Sequence, residues 1–160
     1  MAKAKSPKTV KTIVVSLLVG VAVTFGVLMM ISSKNQKLVD TQQEMIKVAN
    51  QIDQLGAELG EAPTQEETRK IAEQMVEKSN QILVLNQALV DGSSGRPKEI
   101  SMKKQEIFEL QNQRIKKLVE FTSLENPNGP EGKQIIKDLA AIKAETAIKN
   151  KELQDMMAAE

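Results

Sequence analysis

The chain has no cysteine, no histidine, no tryptophan and no tyrosine, and only three phenylalanines. Without cysteine there can be no disulfide framework, no thiolate nucleophile, no lipidated cysteine and no thiolate-held zinc or haem. Without histidine the commonest general base and the commonest metal ligand are missing. Haem attachment through Cys-x-x-Cys-His and di-iron chemistry through Glu-x-x-His are excluded together. A Walker-type phosphate loop is also absent, as is any run of alternating β-branched residues that would make a strand.

What remains is 160 residues, 41% hydrophobic and 27% charged, with a formal net charge of +1. That charge is unevenly spread. Lys3, Lys5, Lys8 and Lys11 make the first eleven residues basic, and the rest carries 18 basic against 21 acidic side chains. A basic tip on a mildly acidic body argues against a nucleic-acid partner, whose basic face belongs on the folded domain. Between Lys11 and Lys34 lie 22 uncharged residues, Thr12 to Ser33. As a helix, the apolar centre from Ile13 to Ile31 is about 28 Å long, near the hydrocarbon thickness of a bilayer. The run exceeds the roughly 7–15 residues of a cleavable signal sequence, and Met30 to Lys34 offers no small-x-small cleavage site. A signal-anchor is therefore expected: a cytoplasmic tail over 1–11, a transmembrane helix over 12–33 and an extracytoplasmic domain over 34–160. The lysine excess before the span sets the N-terminus inside. Ser16, Gly20 and Thr24, and likewise Ala22 and Gly26, recur at the four-residue spacing that lets membrane helices pack closely.

Beyond the span the apolar residues fall at helical spacing throughout. Leu38, Met45, Ile52 and Leu59 repeat every seven residues, and Val48 and Leu55 stand three positions on from two of them. Nothing between Ser33 and Leu38 breaks a helix, so the span is expected to continue outward as one rod. Gly60 to Pro63 stops that helix, and Thr64-Gln-Glu-Glu67 has the form of a capping box. A second helix with Met75, Ile82 and Leu89 ends at Asp91-Gly92, the glycine serving as a left-handed cap. Pro97 suits the first position of a third helix carrying Ile107, Phe108, Ile115, Leu118 and Phe121. Asn126-Pro-Asn-Gly-Pro130 breaks the chain before a fourth helix seamed by Ile135, Leu139, Ile142, Thr146, Leu153 and Met156, with Ala140, Ala144 and Ala147 expected to pack closely. The predicted helices span 34–60, 64–91, 97–124 and 131–158. Near-equal lengths and short turns predict an all-α fold, an antiparallel up-down-up-down four-helix bundle behind a single transmembrane helix.

Functional residues are scarce. Ser101-Met-Lys-Lys104 has the Ser-x-x-Lys spacing in which a lysine assists a serine nucleophile in penicillin-recognising enzymes, but their Ser-Asp-Asn and Lys-Thr-Gly tripeptides are absent. The pair is expected on a solvated helix face. Glu66 and Glu67 sit where a helix's first turn favours acids, so no metal is expected there. Lys103, Lys104, Arg114, Lys116 and Lys117 make the third helix the most basic, a possible contact face for an acidic partner or anionic lipid. Phe108 and Phe121, the only aromatics after residue 33, cannot build an aromatic ligand cage, so a small-molecule ligand is not expected.

In layout, a membrane helix leading into four long helices resembles the periplasmic ligand-binding domain of chemoreceptors. No second span or signalling domain follows residue 158, so a sensory role would run through a partner's membrane helix. Phage spanins, which join two membranes, also place a helical rod after a membrane helix. The reading favoured here is a non-enzymatic, cofactor-free envelope protein, expected in a bacterial inner membrane. Its bundle would serve as a structural, scaffold or accessory subunit, bound to other membrane proteins or to copies of itself.

Overall fold

In a computed structural model of the protein, residues 35–62 and 64–159 are described. The predicted span 12–33, with Ser16, Gly20, Ala22, Thr24 and Gly26, lies outside them. Among the described residues, no helix is long and apolar enough to cross a membrane.

Four helices account for nearly all of the described chain: α1 Gln36–Glu61, α2 Gln65–Gly92, α3 Gly95–Thr122 and α4 Pro130–Ala158. Their starts have local causes. Asn35 is extended, and its side chain accepts a hydrogen bond from the Lys37 amide. α1 therefore starts at that cap, and the part of the expected rod that precedes Asn35 lies outside the described residues. Thr64 and Glu67 close the capping box reciprocally, satisfying two amides that a helix start leaves orphaned. Gly95 adopts φ +58 at the head of α3, so Pro97 falls inside the first turn and not at its first position. Pro130 opens α4, where its missing N–H and fixed φ do no harm.

Gly92 has a role other than the one its sequence position suggests. It remains within α2, and its backbone is not left-handed. A Cβ there would meet Leu38 Cδ2 at 2.7 Å, so the missing side chain lets the end of α2 approach the start of α1.

Cross-helix pairs fix an antiparallel arrangement. The Asn86 amide donates to the Ser101 carbonyl and to Gln105, and Asn112 donates to Asn80. Gln65, opening α2, donates to the carbonyl of Thr122, closing α3. Lys103 pairs with Glu152 and Lys117 with Asp138 between α3 and α4. The closest packings join sequence neighbours, α1 with α2, α2 with α3 and α3 with α4. α3 is thus flanked on both sides, and α1 and α4 are the outer members.

The core follows the heptads. Met45, Ile52 and Leu59 meet Met75, Ile82 and Leu89, and α3 adds Ile107, Phe108, Ile115, Leu118 and Phe121. α4 contributes Ile135, Leu139 and Leu153. Its Ala140, Ala144 and Ala147, expected at close contacts, are exposed, because α4 has a tightly packed neighbour only on its α3 side.

Candidate interaction surface

The α1 seam divides by depth. Met45, Val48, Ile52 and Leu59 are buried, and Leu38 and Leu55 lie half-buried against the core. These six are cohesive residues of the fold.

Lys103, Lys104, Arg114, Lys116 and Lys117 of α3 do not share a contact face. Lys103 faces α4, 2.6 Å from Glu152 and 3.1 Å from Glu106. Lys117 is paired with Glu120 at 2.7 Å and stands 3.8 Å from Asp138. Lys104 and Arg114 point inward and are each only 3% exposed. Lys116 alone is open to solvent. Charge patterning read these side chains as surface, but helix spacing and the two flanking neighbours turn most of them inward or sideways.

The interior of α3 is consequently polar as well as apolar. Lys104 has no ion pair among the described residues, and burial pushes its ammonium down to about 8. Arg114 is also shifted down by burial, with Nε and Nη2 lacking a hydrogen-bond partner among the described residues. Among the described residues, the Ser79 and Ser101 hydroxyls and one oxygen each of Asn86, Gln111 and Asn112 share that lack of partners. Ser101 is fully buried, so the Ser-x-x-Lys pair is inside the bundle and not on a solvated face. No electrophile can reach that hydroxyl in this conformation.

Between α3 and α4 runs a chain of ion pairs. Glu106 bridges Lys103 and Lys149, and Glu152 bridges the same two lysines from α4. These neighbours hold the Glu106 and Glu152 carboxyls below their ordinary range and Lys103 above its own. Among the described residues, no group of three or more acids could hold a metal ion.

Two surface features remain. A groove of about 520 Å³ between α1 and α2 has Val48, Val84 and Leu85 as its apolar part, with Glu44 on one wall and Glu77 on the other. Val84 is 71% exposed, the most open large apolar side chain among those described. Phe108 and Phe121 are both buried, and the groove has no aromatic lining among the described residues. The second feature is the outer face of α4, where Ile148 is 58% exposed beside Ala144 and Ala147, with Lys143 and Lys151 at its margins. The sequence reading missed both. The signal was an apolar residue off the heptad seam, Val84 on α2 and Ile148 on α4.

Comparison with family models, curated proteins and solved structures finds no match.

Proposed function

We propose that the protein is a non-enzymatic, single-pass membrane protein whose helical bundle stands outside the cytoplasm as a scaffold or accessory subunit of a larger envelope assembly. One observation carries the reading: the uncharged stretch Thr12–Ser33, bracketed by lysines, ends just ahead of the capped start of α1. A stretch of that length and hydropathy spans a bilayer, and the lysine excess before it holds the N-terminus inside, in the bacterial inner membrane. The four-helix bundle supports a binding role over a chemical one, because its exposed surface offers apolar side chains and paired charges rather than reactive groups.

The test is extraction of the full chain from native membranes in mild detergent, with mass and composition of the complex measured. The expected result is a carbonate-resistant membrane protein that co-purifies with a stoichiometric partner, itself included. Replacing Val21 and Val23 by Asp should release the protein into the soluble fraction. Recovery of the unaltered chain in the soluble fraction would overturn the reading.

A further inference from the structure

We infer that the outer face of α4 docks into the α1–α2 groove of a second copy of this chain, building a head-to-tail array. The two surfaces complement each other in shape and in charge. The groove is apolar along its base and carries a carboxylate on each wall, Glu44 from α1 and Glu77 from α2. The α4 face is a helix surface of small and aliphatic residues, Ala144, Ala147 and Ile148, accompanied by Lys143 and Lys151. A groove between two helices is the seat a third helix fills, and small residues let its backbone approach.

The charges on these surfaces are uncommitted. Lys149, on the inner side of α4, lies 2.8 Å from Glu106. Lys143 and Lys151 have no ion pair among the described residues, and neither does Glu77. Glu44 has only an exposed bond to Lys47, 3.3 Å away and three residues along its own helix. Such a pair contributes little and is readily exchanged.

The register agrees as well. The Leu38–Gly92 approach sets α1 against α2, and the Asn86–Gln105 and Asn80–Asn112 bonds set α2 against α3. The Lys103–Glu152 and Glu106–Lys149 pairs set α3 against α4. Carried around the bundle at about 1.5 Å per residue, these pairings put Ile148 at the height of Val84, Lys151 about 2 Å from that of Glu44 and Lys143 about 4 Å from that of Glu77, offsets that a lysine side chain spans. Two upright copies side by side in one membrane meet at equal heights, and in this respect the inference rests on the proposed anchoring. Because the contact joins two different surfaces, each added copy leaves one groove and one α4 face open.

Charge reversal on the full chain in detergent tests the pairing, with oligomer mass read by sedimentation velocity at about 100 µM, where a weak contact is populated. Two variants are made: K143E with K151E, and E44K with E77K. All four residues are exposed, and circular dichroism checks that each variant keeps its helix content and melting point. The unaltered chain should self-associate, and each variant alone should weaken association by about tenfold or more. Mixing the two variants, or combining all four changes in one chain, should restore association, because opposite charges again face each other. Should a reversed chain fail to fold, the neutral pair K143Q with K151Q replaces it, with the same loss expected. A monomeric unaltered chain, masses indifferent to reversal, or loss without recovery on mixing would each overturn the inference. So would unchanged masses with lost binding to phosphatidylglycerol vesicles in the lysine variant, which would assign the face to lipid. Failure of the anchoring reading is read separately, from the membrane fraction, and leaves the mixing result standing.

Discussion

Lys104 sits at 3% exposure, without an ion pair among the described residues, and its burial disfavours the ammonium. The ordinary lysine value is 10.5 and the folded value falls to about 8. Between those pH values the unfolded chain holds a proton that the folded chain has released, so stability rises with pH across that window. Below about 8 the folded state bears the whole cost of the buried charge, on the order of 3 kcal/mol at most. Lys104→Met should therefore raise stability by roughly 1–3 kcal/mol at neutral pH and abolish the rise between pH 8 and 10.5. Urea unfolding over a pH series measures both, followed by circular dichroism since the chain has no tryptophan. Glycines supply a second contrast. A Cβ on Gly132 would overlap the backbone of Pro127, whereas one on Gly56 would meet nothing. Gly132→Ala should destabilise by about 1–3 kcal/mol or more. Gly56→Ala, in an open helix interior, should stabilise by roughly 0.5–1 kcal/mol. Equal effects of the two substitutions in the same unfolding assay would contradict this account of Gly132.

At the scale of the helices, α3 and α4 are held in opposite ways. α3 is flanked on two sides and buries apolar and polar groups alike, whereas α4 buries Gly132, Ile135, Leu139, Thr146 and Leu153 and leans on a chain of partly exposed ion pairs. Exposed pairs weaken with salt and contribute little individually. Amide hydrogen exchange should find α4 less protected than α3, with the difference widening as salt is raised. Matching protection in the two helices would show that α4 has a further anchorage. The same contrast explains what was legible beforehand. The strict heptad of α1 foretold Met45, Ile52 and Leu59 as core, and the Thr64–Glu67 box marked a helix start, because both signals are local. Lys104 and Arg114 read as surface, since their burial comes from neighbours on both sides of α3 and not from their own chemistry. The α4 alanines read as packing positions, and their exposure depends on where the neighbouring helix is missing. The charged contact face failed for the same reason, and the Val84 groove exists only once α1 lies beside α2.

For the molecule as a whole, the absence of cysteine makes any introduced one unique. α1 starts at the same end as the α2–α3 turn, so anchoring through residues 12–33 would hold Ser94 near the bilayer and put Asn128 about 40 Å away. Full-length chains bearing Ser94→Cys or Asn128→Cys, labelled with a fluorophore in liposomes, should be quenched by headgroup-borne quenchers only at Ser94. Equal quenching at both sites would mean that the bundle lies flat on the membrane. Asn35 bears on how such a molecule handles force. A helix transmits torsion and piston displacement only while its hydrogen-bond ladder is unbroken, and Asn35 is an extended residue whose side chain turns back onto Lys37. Stiff transmission is thus a property of the stretch from Gln36 to Glu61, which carries Met45, Ile52 and Leu59 of the core and starts at the Asn35 cap.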